Sequence, residues 1–287
     1  MKKAFIPSIK GFLFEKEKQP WGYIFDYWFL SASRRYTKSR YYLEQNKLPG
    51  ISLQGNIIII NNKVIDISDA PDGERCLIAI IAEYFDFIYP KLVTHSIPFF
   101  ISEGPYEKEQ CKVQGGDVII DAGANLGLFS WLFLDTVGKN GHIYMFEPVP
   151  SLSKLLTESI EINKTKEEMT VIEAALSNKD GVTSFLIEDY TGGSHESSNG
   201  DTLIKTSTID SFVANNSISK INFIKADIEG MEPQLIDGAK ETIKRDKPKI
   251  AICTYHNPNH RAELKYKLET LRPDYKFAYS SHKLFAW

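Results

Sequence analysis

Acidic and histidine side chains follow four apolar runs of the sequence, at points where they could bind a ligand or accept a proton. Asp121 ends the run VIID, Glu147 ends IYMFE, and Asp227 follows FIKA. His256 follows ICTY near the C-terminus. Carboxylates accept hydrogen bonds from hydroxyl and ammonium groups, and an imidazole with a pKa of about 6.5 titrates close to neutrality. These residue types indicate ligand binding and general-base chemistry.

From residue 117 onward, apolar strand patterns alternate with amphipathic helix patterns. The predicted strands are DVIIDAG, HIYMFEP, MTVIEAALS, VTSFLIE, NFIKADIEG and KIAICTYH, followed by the closing pair YKFAYSS and KLFAW. Helices are predicted at GLFSWLFLDTV, at SLSKLLTESIEIN with Ser151 as its cap, and at 208–214, 233–245 and 260–271. This alternation predicts an α/β fold with a doubly wound, mostly parallel sheet. Ligands bind such sheets at the carboxyl ends of the strands, where the acids and the histidine lie.

The turn GANLG at 123–127 joins the first of these strands to a predicted helix. A helix start offers N–H groups and a partial positive charge, which suit a carboxylate or a phosphate. Glu147 lies 24 residues after Gly123, where an acid can accept hydrogen bonds from both hydroxyls of a ribose. The chain lacks GxGxxG and GxxxxGK(S/T), which argues against a dinucleotide and a phosphate-loop nucleotide. An adenosine with an amino-acid tail remains, so S-adenosylmethionine is the predicted cofactor, with Asp121 facing its ammonium group.

Composition narrows the class of protein further. The 287 residues carry a net charge of −3 and contain no Asp/Asn-Pro-Pro-aromatic stretch, so nucleic acid is not an expected partner. The three cysteines are far apart and give no CxxC spacing, so neither a zinc site nor a disulfide scaffold is predicted. No apolar run approaches the roughly 20 residues of a membrane span. We expect a soluble, cytoplasmic protein without stable membrane insertion.

The first hundred residues differ in kind from the rest, and we predict an accessory region at 1–100 before a catalytic domain at 101–287. The first 50 residues hold ten Lys and Arg against four Asp and Glu. Aromatic-rich helices are predicted within 20–48, a β-hairpin around Asn61 and Asn62, and a helix at 73–89. The region could cover the catalytic domain, bind a glycan acceptor through aromatic rings such as Trp21 and Trp28, or form a homodimer interface.

Six pieces of the sequence, in the same order, resemble the FkbM-type S-adenosylmethionine-dependent methyltransferases. They are EGPYE at 103–107, GGDVIIDAGANLGLFS at 115–130, MFEP at 145–148, TSTIDSF at 206–212, NFIKADIEGMEPQLIDGA at 222–239 and ICTYH at 252–256. The resemblance covers residues 103–287, about two thirds of the chain. It implies a class I methyltransferase fold, a Rossmann-like sheet of seven strands whose last strand is antiparallel and inserted between the fifth and the sixth.

The resemblance also implies a set of cofactor contacts. The second strand contributes Glu147 and Pro148, and the end of the third strand lies near the adenine. Two residues before the first core strand, Glu103 and Tyr106, are expected over the cofactor. The full set of expected contacts is Glu103, Tyr106, Asp121, Gly123, Ala124, Asn125, Glu147, Pro148, Glu173, Ala174, Ala175 and Asp227.

The resemblance further implies methylation of hydroxyl groups, often on sugars or secondary metabolites. The expected activity is therefore O-methylation of a saccharide, glycan or other small acceptor. A hydroxyl must lose its proton, which calls for a base. His256 is the best candidate. Asp227 is expected to touch the cofactor or the acceptor hydroxyl, and Glu229 to orient the acceptor or cap the next helix.

Three alternatives remain open from the sequence. The chain could be a non-catalytic binding module with a methyltransferase fold, or it could act on another class of acceptor. The Asp227-x-Glu229 pair could also bind a divalent metal. We do not predict a metal site, because a third carboxylate at matching spacing is missing. The glycine-rich segment 189–200 is a candidate acceptor lid.

Overall fold

The computed structural model describes residues 40–41, 43–45, 50–68, 105–187, 194–197 and 199–287, together with residues 70, 77, 80 and 84. The predictions for Glu103, for the aromatic residues of 20–39 and for 188–193 lie outside these residues. Within the predicted helical region 20–48, residues 40, 41, 43 and 44 are helical. No helix within the described ranges combines the length and the apolar character that a bilayer crossing requires.

The strands, numbered in chain order, are β1 (Ile51–Gln54), β2 (Ile57–Ile60), β3 (Lys63–Asp66), β4 (Val118–Ala122), β5 (His142–Phe146), β6 (Met169–Ile172), β7 (Ala175–Leu176), β8 (Gly181–Leu186), β9 (His195–Glu196), β10 (Thr202–Ser207), β11 (Phe223–Ala226), β12 (Lys249–Cys253), β13 (Phe277–Tyr279) and β14 (Lys283–Ala286). The numbered helices are α1 (Leu128–Val137), α2 (Pro150–Asn163), α3 (Ile209–Asn215), α4 (Glu232–Asp237), α5 (Lys240–Asp246) and α6 (His260–Leu271).

Seven strands form the central sheet, in the order β13-β14-β12-β11-β4-β5-β6. β4 pairs in parallel with β5 and β11, and the parallel pairs continue to β6 and β12. β14 runs antiparallel between β12 and β13. The last strand therefore lies between the fifth and sixth strands of this sheet. The predicted fold class and the inserted last strand are both confirmed.

Apolar side chains of the central sheet alternate between two cores, as strand geometry requires. Ile119 packs in a core with residues of α1 and α2, whereas the next residue, Ile120, packs in a core with residues of α3 to α6. Because helices cover both faces, the four residues of β11 are all buried. This two-sided burial explains why the strands are continuous apolar runs in the sequence.

The N-terminal strands form a separate three-stranded antiparallel sheet, in the order β1-β2-β3. The predicted hairpin turn is confirmed, since Asn61 and Asn62 join β2 to β3 with φ values of 47° and 66°. Asn163 at the end of α2 accepts a hydrogen bond from the backbone N–H of Val64 and donates one to its carbonyl. Apolar residues of this sheet share one core with α1 and α2. The division at residue 100 stays a prediction.

Three predicted boundaries differ in the structure. α2 begins at Pro150 with Val149 as its N-cap, so the prediction of Ser151 as the cap is wrong. A proline fits the first helical position because its missing N–H has no partner to lose there. The helix predicted at 233–245 is divided into α4 and α5 around Gly238. The third predicted strand is divided into β6 and β7, and β7 leaves the central sheet to pair with β10.

Candidate active site

A cleft lies at the carboxyl ends of β4, β5 and β11, where the strand order of the central sheet reverses. Such a switch point is the usual ligand site of a doubly wound sheet. The cleft is open to solvent, and the space of about 690 Å³ that its lining surrounds includes solvent outside its mouth. Its lining includes many of the predicted site residues, namely Gly123, Asn125, Glu147, Pro148, Ala174, Ala175, Asp227 and Glu229. Ser194, from the predicted acceptor lid, also lines it.

Gly123 allows the ends of β4 and β11 to approach each other closely. Its φ is 72°, and a Cβ atom at this position would lie 1.9 Å from the carbonyl oxygen of Asp227. The backbone N–H groups of Gly123 and Ala124 both donate to the carbonyl of Phe146 at 3.0 Å. The turn thus joins three strand ends, and these two N–H groups already have a partner within the protein.

Glu147 places a buried carboxylate on the wall of the cleft. The residue is 4% exposed. Oε2 accepts a hydrogen bond from the N–H of Asn125 at 2.7 Å, and Oε1 accepts one from the N–H of Val149 at 2.9 Å. Burial raises the pKa of Glu147 to about 7, although these two N–H groups and Lys225 oppose the rise. Each carboxylate oxygen keeps a lone pair for a further donor, such as a ribose hydroxyl.

Asp121 is fully buried and does not belong to the cleft lining. Its Oδ2 accepts a hydrogen bond from the hydroxyl of Ser130 at 2.6 Å, and its Oδ1 lies 3.0 Å from the ammonium nitrogen of Lys225. Lys225 does line the cleft, and it donates to the carbonyl of Gly123 at 2.6 Å. Asp121 therefore positions Lys225, and it is Lys225 that lines the cleft. Sequence reasoning missed Lys225, and the signal was a lysine inside the apolar run FIKA.

Asp227 accepts hydrogen bonds from two tyrosines. The Tyr106 hydroxyl donates to Oδ2 at 2.8 Å, and the Tyr255 hydroxyl donates to Oδ1 at 3.2 Å. Burial favours the neutral acid, but the positive charges of Lys225, His256 and Lys283 outweigh it and lower the pKa of Asp227. Tyr106 contacts Asp227 and is not among the residues that line the cleft. Ala124 and Glu173 are also absent from the cleft lining, and the cofactor contacts of all the predicted residues stay predictions.

Three carboxylates surround His256, whose side chain is 9% exposed. Nε2 lies 3.2 Å from Oε2 of Glu229 and 3.6 Å from Oδ1 of Asp227. Nδ1 lies 2.9 Å from Oε1 of Glu232. Burial opposes a charge on the ring, but the three acids prevail and raise the pKa of His256 to about 10.

A histidine with this pKa is protonated at neutral pH and has no lone pair with which to accept a proton. The three carboxylates around the ring, which sequence reasoning did not see, thus count against His256 as the general base, and that role stays a prediction. Glu232 was missed altogether. The signal was an acid five positions after Asp227 in the block DIEGME.

The residues of the cleft fit an adenosine with an amino-acid tail. Glu147 offers a buried acceptor that suits the two hydroxyls of a ribose. Ala174 and Ala175 line the same cleft with small apolar side chains, which suit a flat base. The close approach at Gly123 leaves no room for a side chain at this position of the turn. Glu147, Ala174, Ala175 and the turn at 123–125 would therefore hold S-adenosylmethionine.

Comparison with known proteins agrees with this geometry. A curated relative, the hexuronic acid methyltransferase AglP of Haloferax volcanii, is 30% identical over 132 residues, which are 45% of this chain and 52% of that protein. The crystal structure of methyltransferase FkbM from Methylobacillus flagellatus KT is similar in fold, with a TM-score of 0.51 and 22% identity over 75% of this chain and 54% of that one. The chain thus spans about half the length of either relative.

The family model for the methyltransferase FkbM domain matches residues 121–278. The match includes the turn after β4, the acid at the end of β5 and the acidic block after β11. It confirms the resemblance predicted from the sequence and, with it, S-adenosylmethionine as the cofactor. Since the matched residues make up more than half of the chain, the chain belongs to the FkbM methyltransferase family.

Proposed function

We propose that this protein transfers a methyl group from S-adenosylmethionine to a hydroxyl of a saccharide or another small acceptor. The observation that carries the proposal is the position of Asp227 and Glu229, which line the same cleft as Glu147. A nucleoside held by Glu147 and an acceptor held by the two other acids would share one cleft. The hexuronic acid methyltransferase that the chain resembles supports a sugar as the acceptor class.

The residues of the cleft have separate roles in this proposal. Glu147 binds the ribose hydroxyls, and Ala174 and Ala175 contact the adenine. Lys225 is held by Asp121 and orients the turn through the carbonyl of Gly123. S-adenosylmethionine supplies a methyl group on a sulfonium when it is bound.

In this proposal Asp227, and not His256, takes up the proton of the acceptor hydroxyl. The lowered pKa makes Asp227 an ionised hydrogen-bond acceptor at neutral pH. A weak base suffices for this role, because the proton of a hydroxyl becomes more acidic as its oxygen gains the methyl group. Glu229, whose side chain is 33% exposed, faces the solvent side and orients the acceptor. His256 supplies a fixed positive charge beside both acids.

Methyl transfer to a panel of acceptors under single-turnover conditions tests the proposal. The full chain is mixed with labelled S-adenosylmethionine and with hexuronic acids, neutral hexoses or non-sugar alcohols. We expect label in a sugar product that resists mild base, since a methyl ether is stable to base and a methyl ester is not. Label released by base would place the methyl group on a carboxylate and contradict transfer to a hydroxyl.

Matched variants separate catalysis from binding. Asp227→Asn should lower the rate of transfer at least about tenfold, because a positioned proton acceptor contributes about 10²–10⁴-fold. Glu158→Gln on the exposed side of α2 should behave like the wild type. If the cofactor binds and no acceptor in the panel is methylated, the chain is better explained as a non-catalytic binding module.

A further inference from the structure

A cluster of ligand-type side chains lies beside the cleft, where β11 and β12 end. Asp227, Glu232 and His256 each offer one ligand atom, and these atoms lie within 4.8 Å of one another. Ligands at about 2.1 Å from one octahedral ion lie about 3 Å apart when adjacent and about 4.2 Å apart when opposite. The three ligand atoms therefore need to close by less than about 2 Å to share one cation.

Buried atoms in this cluster lack hydrogen bonds. Both ring nitrogens of His256 and Oε2 of Glu232 are buried, and within the described part of the chain none makes a hydrogen bond of good geometry. Nε2 of His256 lies 3.2 Å from Oε2 of Glu229, and Oε2 of Glu232 lies 3.4 Å from Nδ1 of His260, so these atoms have ion-pair contacts instead. The contact of 2.9 Å between Nδ1 and Oε1 of Glu232 is close, but it does not meet the angular requirement of a hydrogen bond. Glu232 is 0% exposed. Because buried polar atoms are rarely left unsatisfied in native proteins, a further ligand is indicated here.

The charge of the cluster favours a cation as that ligand. Asp227, Glu229 and Glu232 all contact the His256 ring, so the four side chains carry a net negative charge even when the ring is protonated. Lys225 and Lys283 offset part of the charge on Asp227. Lys225, however, also forms an ion pair with the buried acid Asp121. Nδ1 of His260 lies 3.4 Å from Oε2 of Glu232.

We propose that Asp227, Glu232 and His256 bind a divalent cation, with Glu229 as a fourth ligand on the cleft side. Two or three carboxylates with one imidazole suit Mn²⁺ better than Ca²⁺, which takes oxygen ligands. A ring nitrogen of His256 that binds the cation cannot also carry a proton, so the cation replaces the proton as the positive charge among the carboxylates. Glu232 supplies the third carboxylate that was missing from the Asp227-x-Glu229 spacing.

The cation site stands without the proposed function, but its role in methyl transfer rests on that function. A divalent ion at Asp227 lies beside the part of the cleft assigned to the acceptor. An ion there lowers the pKa of a hydroxyl that it binds, as metal ions do for bound water. The hydroxyl oxygen would then form its bond to the methyl carbon as the bond from that carbon to the sulfonium sulfur breaks. The hydroxyl proton would pass to the oxygen of Asp227 that does not bind the cation, and Asp227 would need little basicity of its own.

Direct titration with Mn²⁺ tests the site without any methyl acceptor. The full chain is freed of metal with a chelator, and free Mn²⁺ is followed by its electron paramagnetic resonance signal. We expect one Mn²⁺ per chain, and Glu232→Gln and Asp227→Asn should each weaken binding at least about tenfold, as loss of even an outer-shell partner does. Asp237→Asn is the matched control, because Asp237 lies on the same helix and pairs with Lys240 and Lys267.

Two results would overturn the inference. One is a wild-type chain that binds no stoichiometric Mn²⁺, and the other is a pair of folded variants that bind Mn²⁺ like the wild type. If Glu232→Gln does not fold by circular dichroism, Asp227→Asn decides between these outcomes. Methyl transfer is measured separately with and without Mn²⁺. Stoichiometric binding at these residues without any transfer would support the site and count against the proposed function.

Discussion

Replacing Gly123 with alanine perturbs the turn on which the cleft depends. The added Cβ atom would lie 1.9 Å from the carbonyl oxygen of Asp227, whereas real Cβ atoms essentially never come closer than 3.0 Å to such an atom. The ends of β4 and β11 must therefore separate by about 1 Å. Overpacking of this kind costs about 1–3 kcal/mol, and the φ of 72° adds about 1–2 kcal/mol for a residue with a side chain.

Gly138 provides the control for this substitution. Its φ is 64°, and a Cβ atom there would have nothing within 4 Å. Its ψ is −174°, and residues other than glycine rarely adopt this combination of angles, so Gly138→Ala should cost only the conformational part, about 1–3 kcal/mol. The expected difference between the two variants is about 2 kcal/mol, which corresponds to about 4–8 °C in Tm for a chain of this size.

Thermal unfolding of the two variants, with and without S-adenosylmethionine, gives the measurement. We expect Gly123→Ala to melt below Gly138→Ala and to lose most of the stabilisation that the cofactor gives the wild type. Equal melting temperatures would show that the two strand ends are not in close contact. The reasoning about the turn would then be refuted.

Three further predictions concern the titrating groups. Since the pKa of Glu147 rises from 4.5 to about 7, the folded state keeps a proton that the unfolded state has lost, and the stability of the wild type relative to Glu147→Gln should fall as pH rises through this window. A difference that stays constant across the window would contradict the raised pKa. In the metal-free chain the pKa of His256 rises from 6.5 to about 10. The stability of the metal-free wild type relative to His256→Gln should therefore be full below pH 6.5 and decline towards pH 10 in denaturant titrations. His256→Ala should bind the cofactor within about twofold of the wild-type affinity in calorimetry. It should slow methyl transfer by about tenfold or more, because the histidine neighbours the acids that bind the acceptor. A variant that turns over at the wild-type rate would remove His256 from the mechanism.

The elements of the catalytic region could be predicted because their apolar residues follow clear periods. β4, α1 and α6 lie where the sequence pattern places them. The order of the strands came from the family resemblance, since strand pairing is a tertiary property. The division of MTVIEAALS into β6 and β7 could not be predicted, because the apolar run continues through both strands and only the pairing partner changes.

A site residue could be predicted where its type and its position at a strand end are enough to indicate its role, as for Glu147. It was missed where the role depends on neighbours from other elements. Lys225 is a lysine in an apolar strand, and only its contact with Asp121 explains it. The protonation of His256 depends on acids of a different loop and of α4, which come together only in the fold.

Calorimetric titration of S-adenosylmethionine into the wild type and Glu147→Ala tests the central claim most directly, namely that the cleft at β4 and β5 binds this nucleoside through Glu147. A lost hydrogen bond to a charged group costs about 1.5–3 kcal/mol, so the variant should bind about 10–100-fold more weakly. Its unfolding curve controls for damage to the turn. One tight site in the wild type and a weakened site in the variant agree with the account; no binding by the wild type, or equal affinity in both, contradicts it.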